Sequence, residues 1–314
     1  MVNWNKRNIT TIGRVALIKS LFLSKLNHIF LTIPSLDENL LQQIEDLFFK
    51  FLWQNKPDKI KRNCVTQNYE EGGLKMVDIR SFIKSLKITW VRRIFQTPDN
   101  LWVKLFNDQY CNPVNLITQG TNWLLLKNNV IKNRFWNEVL DAYRILLITY
   151  KPKNHHDLLS SPLCYNPNIG ISNDLSKKIH NKGIDLIIET LDNNGHILSH
   201  HQLQNILGIH LTWYDYTIIK ISVKRYLNSI NLPLPESVER PLIPLNLKPI
   251  IKSQKGCKDF YNILNKKQNE VKATKKWNTK LDLILSKENW VHIFKIANKT
   301  IEDNTFKLPF SDRF

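Results

Sequence analysis

At 314 residues the chain can bury a substantial core, in roughly one to three domains. Its hydrophobic content of 42% excludes a disordered chain. The net charge of +18 and pI near 9.7 point to a polyanionic partner, nucleic acid first, although A/T-rich coding sequence yields a similar Asn-, Ile- and Lys-rich composition. Lys19 and Lys25 interrupt the first apolar run, so neither a bilayer-spanning segment of about 18 residues nor a signal peptide is expected. Cys64, Cys111, Cys164 and Cys257 form no C-x-x-C knuckle. Free, mostly buried thiols in an intracellular, cytoplasmic or nuclear setting follow.

The pattern predicts a helix from about Thr11 to Pro34, capped by Thr10 or Thr11. At 100° per residue Val15, Ile18, Phe22, Leu26 and Ile29 share one face. Arg14 and Lys25 then lie about 20° apart on its flank. Pro34 ends the helix. Ser35 and Glu38 spell a capping box for a second helix, whose apolar face holds Leu40, Leu41, Ile44, Leu47, Phe48, Phe51 and Leu52. The short connection predicts an antiparallel hairpin.

A basic loop follows with Lys56, Lys59, Lys61 and Arg62. Gly72-Gly73 calls for positive φ and close approach of the chain. Asp78 caps a third helix with Ile79, Phe82, Ile83, Leu86, Trp90 and Ile94 inside. Thr97-Pro98 suggests the start of a fourth, with Leu101, Trp102, Leu105 and Phe106 on its core side. A further helix is expected over 133–149. The proline-bearing segment 151–171 breaks helical periodicity, and its end reads as extended. After a turn at Asp192 to Gly195 and a strand at His196 to Leu198, Ser199 and Gln202 cap a helix that Gly208 closes. Thr212 caps the next helix, through about Leu227.

Three blocks also carry a family resemblance. They are Trp4-Asn5-x-Arg7-x-x-Thr10-x-x-Gly13-Arg14 continuing into Ile18-Lys19-Ser20-Leu21-x-Leu23-Ser24-Lys25, then Glu71-Gly72-Gly73-Leu74-x-x-x-Asp78-Ile79, then Leu86-Lys87-x-x-Trp90-Val91-Arg92-Arg93. In this order they resemble the thumb and downstream region of LINE-type non-LTR retrotransposon reverse transcriptases. Later blocks are similar to the same polyproteins, although the family's P-L-W-Y-N motif has Cys164 in place of its tryptophan here. The resemblance implies a fragment lacking the catalytic palm, with a mainly α fold: a helical thumb-like bundle, then an α-rich region with a small β element. The implied organisation is a thumb-like region over 1–110 and a downstream region over 111–232 with short strands near 162–171 and 183–198. A Pro-rich linker over 233–256 and a basic helical tail over 257–314 complete it.

The family's polymerase carboxylates occur as aromatic-x-Asp-Asp, and this sequence has no Asp-Asp pair. Tyr214-Asp215-Tyr216 lacks the second acid and falls inside a predicted helix. The expectation is therefore no catalytic residue, no enzymatic activity, no metal and no cofactor. His155-His156, His196 and His200-His201 read as solvated or capping groups. The candidate nucleic-acid-binding residues are Arg14, Lys19, Lys25, Lys84, Lys87, Arg92 and Arg93, by resemblance to the thumb, with Lys275, Lys276 and Trp277 in the tail. The expected partners are the RNA or DNA backbone, held without sequence preference, and the missing palm. No membrane and no small-molecule substrate are expected. The competing reading is a helical scaffold or adaptor.

Overall fold

The computed structural model describes residues 4, 7, 9–128, 131–208, 210–229, 243–254, 256–265, 278–280, 282 and 285–302. Helix α1 (Thr11–Thr32) starts at the predicted cap: the Thr10 side chain accepts the Gly13 N–H at 3.2 Å. Its middle, Ile18–Leu23, is a π-helix. A π turn holds more residues than an α turn, so every later side chain is rotated about the axis. Val15 and Ile18 are buried as the periodicity predicts, but further on the buried residues are Leu23, at the end of the π segment, and Phe30, and Ile29 is exposed. The Phe22 ring lies edge-on to Phe51 at 5.5 Å. Ile33 is extended (φ −110°, ψ 160°), the conformation that Pro34 imposes on its predecessor. At 22 residues, with mean hydropathy 1.3 over its most apolar window, α1 is long and apolar enough to cross a membrane by composition alone. This corrects the expectation that no run approaches that length.

Helix α2 (Glu38–Leu52) begins after Asp37, so Asp37, rather than Ser35, stands at the N-cap position. Glu38 takes Arg80, in α4 (Ile79–Gln96), and the same guanidinium reaches Glu45 at 2.5 Å. Leu41, Phe48, Phe49, Phe51 and Leu52 are buried, while Leu40 and Leu47, expected inside, are exposed. The short helix α3 (Arg62–Val65) leads to Gly72-Gly73, where the two glycines divide their tasks. Gly72 has φ +77°, and a Cβ on Gly73 would stand 2.2 Å from the Gln67 carbonyl oxygen. Asp78 caps α4 by accepting the Ser81 N–H at 2.9 Å.

By internal packing the chain divides into two units, Met1–Ile83 with Asn265–Phe314, and Lys84–Leu264. The division falls within α4 rather than near residue 110. In the first unit the described part of the tail, α15 (Lys287–Glu302), packs on the 3-10 turn Tyr69–Glu71, with Phe294 against Gly72.

In the second unit Thr97 closes α4, its hydroxyl donating to the Arg93 carbonyl at 3.0 Å. Helix α5 (Leu101–Gln109) therefore starts at Leu101, three residues after Pro98 rather than at it. Val103 and Phe106 face inward, and Leu101 and Leu105 are exposed. The helices α6 (Asn115–Thr118), α7 (Thr121–Asn128), α8 (Arg134–Thr149), α9 (His155–Leu159) and α10 (Asn173–His180) follow. They share one core with Ile88, Tyr143, Leu158 and Ile187.

Among the described residues no strand forms. The segments expected as strands contain only isolated bridges, Pro162 with Leu186 and Leu191 with Ile197. The 3-10 turn Ile187–Thr190 interrupts the second of them. Helix α11 (His200–Leu207) has its predicted Ser199–Gln202 box and Gly208 at φ +58°, and α12 (Trp213–Leu227) has its Thr212 cap.

Residues 243–254 are not a linker. A 3-10 turn, Leu245–Leu247, and α13 (Lys248–Lys252) bury Leu245 and Ile250. The Leu245 N–H bonds the Ser160 carbonyl at 2.8 Å, and Lys248 pairs with the buried Asp157. Pro244 and Pro249 sit at element starts, where no N–H is needed. Pro233, Pro235 and Pro241 lie outside the described residues. Helix α14 (Lys258–Leu264), assigned to the basic tail by sequence, belongs to this second unit and buries Phe260.

Candidate nucleic-acid interface

The basic residues singled out in the sequence differ in their exposure. Arg14 is fully buried. Its Nε donates to the Ile9 carbonyl at 3.2 Å, and its terminal nitrogens donate to Phe51 O at 3.1 Å and Arg7 O at 3.3 Å. The guanidinium carbon also lies 5.0 Å from the centre of the Phe51 ring. This side chain serves the protein's own backbone, and one of its acceptors, Phe51 O, lies in the last turn of α2, where carbonyls have no intrahelical partner. Burial pushes its pKa down.

Lys87 is 1% exposed, with its ammonium 3.7 Å from Glu138 and 4.3 Å from the centre of the Phe135 ring. Burial lowers its pKa to about 8 against the opposing pull of Glu138. Arg92 is buried too, donating to Ser253 O at 3.2 Å, Ser253 Oγ at 3.1 Å and Gly256 O at 2.6 Å. Arg14, Lys87 and Arg92 are thus structural, and phosphate has no access to them.

Of the other candidates, Lys19 is half-buried and its pKa falls through burial first and through Lys75 second. Lys84 is half-buried, as is Arg93, which stacks over Trp90 at 4.9 Å. Lys25 is exposed. Lys275, Lys276 and Trp277 lie outside the described residues. The large aromatics of α4 and α5 are packed as core groups. Trp90 meets Trp102 at 5.5 Å and Phe135 at 5.6 Å, both edge-on.

A different surface carries exposed cations beside aromatic rings. On α12, Lys220, Lys224 and Arg225 are exposed, Trp213 is 69% exposed and Tyr214 76%. At 100° per residue Trp213, Thr217, Lys220 and Lys224 fall within a narrow stripe, with Tyr214, Ile221 and Arg225 beside it. The opposite side holds Tyr216, Ile219, Val223 and Tyr226 in the core.

Trp213 is held in place by its neighbours. The His200 ring stacks on it at 4.2 Å with a 16° interplanar angle. His200 is fixed in turn, because its Nε2 lies 2.7 Å from the Leu211 carbonyl and so carries the proton. Tyr216 donates to Leu198 O at 3.0 Å and fixes the base of the same corner. The signal was present in the sequence as aromatic and basic residues three and four apart within a well-capped helix.

Among the described residues no three His, Cys, Asp or Glu side chains converge as a metal site requires. His196 is solvated as expected, whereas His155 is buried. Cys111 and Cys164 are buried thiols, and desolvation pushes the Cys111 thiol up to about 12 and Cys164 further in the same direction. Neither is a poised nucleophile at neutral pH. Compared with models of known protein families, the chain matches none.

Proposed function

We propose that the protein binds nucleic acid without reading its sequence, gripping a single strand of RNA or DNA on the exposed face of α12. On this reading it is related to the thumb-and-downstream region of the non-LTR reverse transcriptases that its sequence resembles. The observation that supports the binding role is the juxtaposition of exposed Trp213 and Tyr214 with Lys220, Lys224 and Arg225 on one helical face. Cationic side chains neutralise phosphates, and an aromatic face accepts any base by stacking. Stacking on Trp213 requires an unpaired base, which favours a single strand over a duplex. Holding of this kind needs no cofactor and turns over no substrate.

The test is a salt titration of oligouridine and oligothymidine binding, followed by fluorescence anisotropy. Each phosphate neutralised on a single strand contributes about 0.7 to the log–log slope. Engagement of Lys220, Lys224 and Arg225 therefore gives a slope near −2, on the order of 0.7 for each cation. No binding at low salt, or binding insensitive to salt, would sink the reading. A second reading, a scaffold for an apolar protein partner, draws on the exposed Ile29, Ile33, Leu40 and Leu47 of the first unit. It gains if oligonucleotides fail to bind and the chain self-associates or captures helical partners.

A further inference from the structure

We propose that a cleft at the C-terminal end of α12 receives one nucleotide of the bound strand, base inward and phosphate at the mouth. This inference rests on the nucleic-acid reading above and names what the second unit would recognise. The cleft has a volume of about 720 Å³, within the range of small-molecule sites. It is lined by Arg225, Tyr226 and Ser229 from the end of α12, so it continues the helix that carries the cationic and aromatic face.

Its walls are flat and apolar. The rings of Pro152, Pro162 and Pro167 contribute, with Tyr150, Leu147 and Leu245. The two cations in the lining are Lys151 and Arg225, both exposed, and no carboxylate belongs to it. The lining also includes Ser161, Asn166 and Tyr226, all buried and hydrogen-bonded within the protein. Ser161 donates its hydroxyl proton to the Asp157 carbonyl at 2.8 Å, so the Tyr226 hydroxyl, 3.1 Å away, is the donor to Ser161. Burial raises the Tyr226 pKa and keeps the phenol neutral.

The 164–168 turn is held rigidly. Gly120 donates its N–H to Cys164 O at 2.9 Å, and a Cβ on Gly120 would stand 2.2 Å from the Tyr165 carbonyl oxygen. Asn166 donates to Pro162 O at 2.8 Å and accepts the Asn168 N–H at 3.0 Å. A preformed cleft of this kind loses little freedom on binding. Free phosphate would use the two cations and leave the apolar walls wet. A purely apolar ligand would leave Lys151 and Arg225 without a counter-charge. A nucleotide satisfies both, since it joins a flat base to an anion.

The experiment uses the full chain with UMP, AMP, uridine and inorganic phosphate, read by equilibrium dialysis and protein-observed NMR. The expected result is saturable binding of either mononucleotide tighter than about 1 mM. Uridine, which lacks the phosphate contact, and inorganic phosphate, which lacks the base contact, should each bind at least about tenfold more weakly. Ser229→Trp, which fills the mouth from an exposed position, should abolish mononucleotide binding with the far-UV spectrum unchanged. Arg225→Gln should weaken UMP about tenfold and leave uridine unaffected. Binding of inorganic phosphate equal to that of UMP, or UMP binding that survives Ser229→Trp, would overturn the inference. If oligonucleotides bind and mononucleotides do not, the cleft proposal fails and the α12 reading stands. If neither binds, both fail.

Discussion

In α1 the basic residue beside the apolar stripe, Arg14, is fully buried and bonds the carbonyls of Ile9, Phe51 and Arg7. In α12 the basic residues Lys220, Lys224 and Arg225 are exposed beside Trp213 and Tyr214. Both helices are amphipathic and flanked by cations, and sequence patterning treats them alike. They differ in what surrounds the cation. Arg14 lies where the last turn of α2 presents carbonyls without intrahelical partners, and a guanidinium with five donors suits that need. The α12 cations face away from a core that is already satisfied. A basic residue in a block of family resemblance is therefore no evidence of phosphate contact until the neighbouring backbone has been accounted for. Lys87 and Arg92 repeat the lesson in the second unit, one paired with Glu138 and the other capping carbonyls at Ser253 and Gly256.

Four experiments would break or sharpen this contrast. The largest effect is expected at Arg14. Arg14→Met removes three charge-assisted hydrogen bonds, one of them buried, and should destabilise the first unit by on the order of 4 kcal/mol, at roughly 1.5–3 for each such bond. Arg14→Lys should rescue it only in part, because an ammonium lacks the fork. Urea unfolding measures both. A fully stable Arg14→Met protein with weakened RNA binding would reverse the assignment of roles.

Next comes Lys87. Its folded pKa of about 8 lies below the unfolded value, so the unfolded chain holds the extra proton between about pH 8 and 10.4. Stability from this group therefore rises with pH across that window, by on the order of 3 kcal/mol at 1.36 kcal/mol per unit. Lys87→Met should remove that rise and be neutral or stabilising at pH 7, since Glu138 keeps Arg134 at 3.2 Å. Unfolding midpoints of both proteins at pH 7 and 10 decide it. An equal pH response in the two would contradict the buried-charge account.

The third is the α12 face. Replacing Lys220, Lys224 and Arg225 together by Glu should leave the melting temperature nearly unchanged. It should lower oligonucleotide affinity at least about tenfold at low salt and flatten the salt slope by about 2. Unchanged affinity would return the search to Lys25 and the tail. The smallest effect is Trp213→Ala, expected to weaken single-strand binding by roughly 1–3 kcal/mol and duplex binding less. Equal losses on both substrates would argue against stacking.

Much of the α-helical framework was legible, because it is written in short-range chemistry. Thr10, Asp78, Ser199 with Gln202, and Thr212 cap helices through hydrogen bonds spanning three residues. Gly72 and Gly73 were legible for the same reason, since positive φ and missing side-chain volume are local demands. The phase of α1 beyond Ile18 was not, because the π segment at Ile18–Leu23 breaks the 100° rule on which the stripe was drawn. The β expectation failed where Ile187–Thr190 turned into a 3-10 helix and left only single bridges on either side. The candidate surface on α12 was visible as spacing but indistinguishable from a core stripe until exposure was known.

Sequence alone determined that the chain is mainly helical, where many of its helices begin, and that it carries a net charge of +18. The tertiary structure decided which cations remain exposed. Arg92 illustrates why: its partners Ser253 and Gly256 are more than 160 positions away, beyond the reach of any local pattern. Buried backbone carbonyls must be satisfied, and the nearest long donor is drawn inward whatever its sequence block resembles.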